Sequence, residues 1–449
     1  VLLAGLWIFV SLLWPEGKLS LGLLGGSPGS TTSGANPTYA ECGAFFLAAW
    51  ALAVPGLRRR IPLAVAGVAA GWILIVALAG LRGWLAGHAL RDVFAEARII
   101  ALSPALLALA TLDAAGRRVA WKALAAGIAA WSLWQAALIW AEPTGFCSMD
   151  IVPIAITASQ HATDVLWLAA LGAIQAGLWL PAWPGLALAG GAWVLLWLSL
   201  IRSLWLAVPL GALAAAGMLC FGSQRPRAVR FAALQALALA LGLACTILVH
   251  GVRSPDGIFL LEFRLQRMAQ GLHLAPAPAQ NPDTGDRSSA LFRAIVRRGG
   301  LYRSLDASPA DPSIASQRAV DPSLDQRRGM RSLALRAFRS SPLLGQGLGL
   351  VFQVPTTTGF LATRDPHSGL AWFLSKMGLL GSGFAAACLA WLALALWRRR
   401  ALASGVSAAL AGSLVMALSL ELVQPGILHA GVWLPLAVLG QVLREPGQA

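Results

Sequence analysis

The sequence predicts an all-α, polytopic membrane protein with about twelve transmembrane helices and one large, partly helical loop. Three observations carry this expectation. Hydrophobic residues make up 57% of the chain and charged residues only 12%, with a mean hydropathy of +0.70, whereas soluble domains carry roughly 25% charged residues. The apolar residues fall in long blocks and do not alternate, which argues against a β-barrel and for helices, whose backbone groups are satisfied within their own segment. Short arginine clusters punctuate the blocks.

Taken in order, twelve blocks approach the length of about 17–25 apolar residues that spans a bilayer. They run near 1–14, 37–57, 61–81, 99–115, 119–141, 159–180, 184–201, 203–222, 229–250, 367–397, 404–424 and 427–443. The seventh and eighth are divided only by the polar pair Arg202–Ser203. Nine spans thus fill 1–250, a polar loop fills 251–366, and three spans fill 367–449. The chain opens on Val1 directly in an apolar run, read as a transmembrane start that has lost some residues. A cleavable signal does not fit, because no small-residue cleavage site follows.

Orientation follows from the basic clusters. Arg58–Arg60, then Arg117, Arg118 and Lys122, then Arg225, Arg227 and Arg230, and finally Arg398–Arg400 all fall on one side of a twelve-span chain. By the positive-inside rule that side, with both termini, is cytoplasmic. The 251–366 loop then faces away from the cytoplasm.

That loop holds fifteen arginines and no lysine, against nine acidic residues. Its stretches Leu260–Leu272, Ser288–Arg298 and Arg327–Arg339 space apolar residues helically, while Ala275–Asp286 and Ser308–Asp325 read as irregular. A small, partly helical cap is expected. A second segment facing the same way, Arg82–Arg98, mixes Trp84, Leu85 and Phe94 with Arg91, Asp92, Glu96 and Arg98, and reads as an amphipathic interfacial helix.

The net charge of +15 does not point to nucleic acid. The chain has only three lysines (Lys18, Lys122, Lys376), and its arginines sit mostly in membrane-flanking clusters or in the loop. Among the five cysteines there is no CxxC or Cys/His metal spacing, so neither a zinc site nor a disulfide framework is expected, although Cys42 and Cys147 fall on the same face.

Charged groups inside or at the mouth of a membrane bundle are costly, so each raises a functional question. Arg202, between spans seven and eight, is one candidate; the plainer account is an interfacial arginine reaching phosphate headgroups. His367, at the start of span ten, can accept a proton or hold a sugar or phosphate; the plainer account is a helix-start histidine. His88, His161, His250 and His429 fall near the same face, but no metal-binding spacing links them. The loop arginines suit a diphosphate, because a guanidinium gives phosphate oxygens two parallel hydrogen bonds and stays charged. The run Pro342-Leu343-Leu344-Gly345-Gln346-Gly347-Leu348-Gly349 lacks a following Gly-Lys-Ser/Thr and reads as a glycine-rich turn, not a nucleotide loop.

Together these features resemble the O-antigen ligase and O-antigen polymerase family. Three motifs carry the resemblance. Arg202-Ser203-Leu204-Trp205 is similar to the family's arginine-small-x-tryptophan segment, with Ile201 where a serine often precedes. Arg327 to Phe338 followed by Pro342–Gly349 is similar to its arginine-led helix ending in Pro-Leu-x-Gly-x-Gly, with Arg331 or a neighbour where an aromatic residue is common. His367-Ser368, nine residues, then Gly378-Leu379-Leu380-Gly381 resembles the ligase pattern of His, then Asn, Ser or Gln, then Gly-x-x-Gly. The matches lie in the second half of the chain.

The resemblance implies an inverting, metal-independent C-type glycosyltransferase without a cofactor. Its donor is a glycan on undecaprenyl diphosphate; its acceptor is lipid A–core oligosaccharide for a ligase, or another lipid-linked glycan for a polymerase. Arg202 and Arg327, with Arg328 as substitute for Arg327, are expected on the diphosphate, and His367 on the acceptor hydroxyl. The catalytic set is then His367, Arg202 and Arg327. Gly378 and Gly381 are expected to allow close helix packing. The His367 motif favours ligase over polymerase. A transporter or flippase of lipid-linked sugars is the rival from another class, but it should show two like halves with charges along a central cavity, and here the distinctive charges collect at one face. A membrane scaffold whose loop binds a partner explains the loop but not Arg202 or His367.

Overall fold

The structure is a computed structural model. It describes residues 1–13, 38–141, 174, 178, 180–198, 202–221, 224–253, 265, 322–356, 359–364, 366, 368–398, 405–421, 434 and 437–438. The described chain is mostly helical. Its elements are α1 (Leu2–Leu13), α2 (Tyr39–Ala53), α3 (Pro55–Arg58), α4 (Leu63–Leu85), α5 (Leu90–Ala97), a 3₁₀ turn (Arg98–Ala101), α6 (Leu102–Ala110), α7 (Ala114–Ala141), α8 (Ala182–Leu198), α9 (Arg202–Phe221), α10 (Arg225–Arg253), α11 (Pro322–Ser340), β1 (Phe352–Thr356), β2 (Gly359–Thr363), α12 (Gly369–Arg398) and α13 (Gly405–Glu421).

Five helical stretches among the described residues are long and apolar enough to cross a bilayer: Leu63–Leu85, Leu90–Ala110, Leu204–Phe221, Arg225–Leu248 and Gly369–Arg398. Many of their large apolar side chains point outwards, among them Leu74, Leu213, Leu248 and Trp391. Apolar surface on that scale is unstable in water and suits hydrocarbon, so these helices are compatible with a membrane protein. Most of the expected spans 159–180 and 427–443 lies outside the described residues.

The helices pack in pairs. α9 lies on α13 and α10, α8 on α10, α1 on α7, and α6 on both α2 and α4. Their shared core is rich in small residues and leucine, with Ala189, Ala192, Ala207, Ala215, Ala408 and Ala409 all buried, the composition that lets helix backbones approach where lipid is as apolar as the core. α2 begins with a reciprocal cap: Thr38 Oγ1 accepts from the Glu41 amide and Glu41 Oε2 accepts from the Thr38 amide at 2.8 Å. Arg98 closes over the same carboxylate at 2.8 Å. Among the described cysteines, Cys42, Cys220, Cys245 and Cys388 are free; Cys147 lies outside the described residues.

A second, smaller core joins α4, α5 and α12 through Trp72, Ile75, Val76, Val93, Trp372, Phe373 and Met377, and it also receives Leu348 from the glycine-rich run. A third joins α11, β1 and α12 through Met330, Ala334, Phe352 and Ala371.

Two expectations are corrected. The segment Arg82–Arg98 is not one interfacial helix. Arg82–Leu85 end α4, a turn follows, and α5 runs through a 3₁₀ turn into α6, because Gly87 takes φ +81° and the Gly87 and His88 amides bond back to Trp84 and Gly83. Val93 and Glu96 of this segment are buried, so one face of α5 is a core face. Besides α11, the expected partly helical loop holds a hairpin: β1 and β2 pair antiparallel from Phe352↔Thr363 to Thr356↔Gly359. The stretch Ser308–Asp325 is not irregular throughout, since α11 starts at Pro322, where proline's fixed φ suits a first helical position. The expected helices Leu260–Leu272 and Ser288–Arg298 lie outside the described residues, Leu265 excepted.

Candidate functional site

The site is organised by a break in α12. Gly378 sits within this apolar helix at φ +63° and ψ −160°, a conformation that side-chain-bearing residues rarely adopt. In an unbroken helix the amides of Leu379 and Leu380 would bond to the carbonyls of Ser375 and Lys376. The break frees all four groups, and a buried backbone group without a partner is costly. The glycine-rich run satisfies each one. The Leu379 amide donates to Pro342 O at 2.8 Å and the Leu380 amide to Leu343 O at 3.1 Å. The Gln346 amide donates to Ser375 O at 2.8 Å and the Gly347 amide to Lys376 O at 3.0 Å. The loop is therefore stitched into the helix as a replacement for its missing turn.

α4 and α5 hold the other side of the loop. The Leu348 amide donates to Ala79 O at 2.9 Å. Arg82 donates from Nε to Gly345 O and from Nη2 to Ser341 Oγ at 2.8 Å. His88 Nδ1 donates to Leu348 O at 2.8 Å. The glycines make this approach possible: a side chain at Gly347, whose φ is +91°, would run into the backbone of Gly83. Gly347→Ala is therefore expected to destabilise the protein by about 1–3 kcal/mol from backbone conformation alone, with the steric conflict on top. Gly190→Ala, where a Cβ meets open space, should cost nothing. Apparent melting temperatures in detergent check the contrast, and equal values for the two variants would show that the loop is not wedged as described.

Beneath the loop lies a buried ion pair. Lys376 is fully buried, Glu96 nearly so. Lys376 Nζ donates to Glu96 Oε1 and to Leu350 O, the latter at 3.0 Å. Glu96 Oε2 accepts from the Gly349 amide at 2.6 Å. The rings of Trp372 and Phe352 face the ammonium at 5.6 and 5.8 Å, where a ring quadrupole favours a cation. Nearer the surface, Arg364 Nη1 stands 3.4 Å from Asp92 Oδ1.

The residues expected from sequence are distributed as follows. Arg327 and Arg328 lie in the first half of α11, a turn or less before Met330, which is buried against Phe352 and Ala371. Arg331 is half-buried, and Arg336 and Arg339 are exposed. α11 leads directly into the glycine-rich loop and packs on α12. His367 lies outside the described residues. Its neighbour Ser368 is buried and caps α12, its Oγ accepting from the Ala371 amide at 3.4 Å. The second and third motifs thus meet, through the helix of one and the helix that follows the other. Arg202 opens α9. Trp205, of the same motif, is buried, donates from Nε1 to Leu196 O at 2.8 Å and packs on Trp197 at a ring distance of 4.6 Å, which ties the first turn of α9 to the end of α8. α9 belongs to the first core, with α13 and α10.

Of the paired glycines, Gly381 serves close packing against Ile75 of α4, whereas Gly378 makes the break. Sequence reading missed Glu96, Lys376, Arg82 and the Asp92–Arg364 pair. One signal was present: Lys376 stands in the middle of an apolar block, and an ionisable residue there requires a partner. Among the described residues no group of three or more His, Cys, Asp or Glu side chains is arranged to hold a metal ion.

The described fold is that of a helical protein with apolar, membrane-length helices, one of them broken and repaired by a glycine-rich loop. Compared with family models, with curated proteins and with solved structures, the chain matches none.

Proposed function

We propose that this protein is a glycosyltransferase of the O-antigen ligase type. It moves a glycan from undecaprenyl diphosphate to lipid A–core oligosaccharide at the periplasmic face of the bacterial inner membrane. The observation that carries this reading is the docking of Pro342–Gly349 into the break at Gly378. It joins the helix bearing Arg327 and Arg328 to the helix that begins two residues after His367, so two motifs separate in sequence serve one locality. Irregular backbone at membrane depth is tolerated where it is buried in protein or lines a cavity, and broken helices recur at membrane binding sites.

The chemistry suits these residues. A diphosphate is a good leaving group, so the protein's task is to stabilise the charge that develops on it, and preorganised guanidinium groups from Arg202, Arg327 and Arg328 supply that. His367 takes or orients the proton of the acceptor hydroxyl. The attacking oxygen forms the new glycosidic bond as the bond to the diphosphate breaks, with inversion at the anomeric carbon.

The test is transfer by purified protein in nanodiscs, supplied with an undecaprenyl-diphosphate glycan with and without lipid A–core. Product that requires lipid A–core is the expected result. A ladder of lengthening lipid-linked glycan without it would make the protein a polymerase. No product from a donor shown to bind would favour a transporter of lipid-linked sugars. Transfer is also expected to proceed at an undiminished rate after exhaustive chelation; activity lost to a chelator and restored by Mg²⁺ or Mn²⁺ would contradict the mechanism.

A further inference from the structure

The short helix α5 holds the chain on both sides of His367. Its two carboxylates, Asp92 and Glu96, stand one turn apart. Asp92 pairs with Arg364, three residues before His367. Glu96 pairs with Lys376, nine residues after it, and also accepts from the amide of Gly349. Pro366 and Ser368, which flank the histidine, are buried. α5 therefore grips the chain at 349, 364 and 376.

Apolar packing does not do this job. Trp72, Ile75, Val93, Trp372 and Met377 hold α12 against α4 and α5, but apolar faces tolerate sliding along the helix axis. Buried ion pairs do not, and fixing register is the best-attested use of such pairs. The Asp92–Arg364 pair is 16% and 28% exposed on its two sides, shielded enough for salt to screen it less than an open surface pair.

We infer that Asp92 and Glu96 are positioning residues for transfer, which set the height of the His367 segment against the arginine helix α11. This inference rests on the glycan-transfer reading above. Asp92 and Arg364 give the cleaner test, because the Glu96–Lys376 pair lies in the core. Steady-state transfer is measured for Asp92→Asn, Arg364→Gln and the reversed pair Asp92→Arg/Arg364→Asp, with melting in detergent measured alongside. Each single variant should lower kcat by roughly tenfold, the scale on which small misplacements of reacting groups act. The donor KM should stay within about twofold, because the diphosphate arginines are untouched. Melting should not change, and the reversed pair should recover most of kcat.

Wild-type kcat in both single variants would overturn the inference. So would a fall that tracks loss of folded protein, or one that the reversed pair leaves unrepaired. Failure of the unaltered protein to transfer any glycan would overturn the glycan-transfer reading itself, and this inference with it.

Discussion

Replacing His367 with alanine is expected to lower glycan transfer by about 10²–10⁴-fold, the contribution of a well-placed general base, while the protein still folds in the membrane. The acceptor hydroxyl is a poor nucleophile until its proton has somewhere to go. Arg202→Ala and Arg327→Ala should each cost about 10²–10³-fold, as removal of one preorganised donor to a developing anion does. Because Arg328 adjoins Arg327, the double variant Arg327→Ala/Arg328→Ala should fall further than either single one. Donor binding separates the roles. The arginine variants should bind undecaprenyl diphosphate more weakly, and the His367 variant should bind it as the unaltered protein does. Full activity in both His367→Ala and Arg202→Ala would remove the catalytic assignment.

Five apolar helices of membrane length among the described residues were legible because apolar run length is a local property. α4, α10 and α12 each appear in sequence as a long, predominantly apolar block, and the structure has helices there. The expected division at Arg202–Ser203 falls beside residues 199–201, which lie outside the described residues; α8 is described to Leu198 and α9 from Arg202. The break in α12 was not legible. Gly378 and Gly381 have the spacing of a packing stripe, and nothing local says that one of them leaves the helix. That depends on four hydrogen bonds to a loop some thirty residues earlier in the chain. The hairpin was missed because a large polar loop draws a search for helical spacing, although Phe352, Val354, Thr356, Phe360 and Thr363 are strand-favouring residue types. The Glu96–Lys376 contact joins residues 280 apart in sequence. Only the cost of an unpaired charge in an apolar helix could have announced it, and that cost demands a partner without naming one.

That cost gives the second large expected effect. Lys376→Met keeps the volume of the side chain and removes its charge, so it leaves the Glu96 carboxylate buried with the Gly349 amide but without its cation. Breaking a buried pair from one side costs about 3–5 kcal/mol, chiefly because an uncompensated charge remains. The protein should melt well below its unaltered temperature in detergent. Adding Glu96→Gln removes the stranded charge and still presents an acceptor to Gly349, so the double variant Glu96→Gln/Lys376→Met should recover more than half of the loss. Replacement of a whole buried pair by neutral groups is often near neutral in stability. The same comparison separates stability from positioning. The double variant should fold and yet transfer slowly, since the loop at Leu350 loses its donor and α12 loses its register against α5. Equal melting of the single and double variants would show that the stranded carboxylate is not what the fold resists. A double variant with full stability and full transfer would show that the pair fixes nothing that the apolar core of Trp72, Trp372 and Met377 does not already fix.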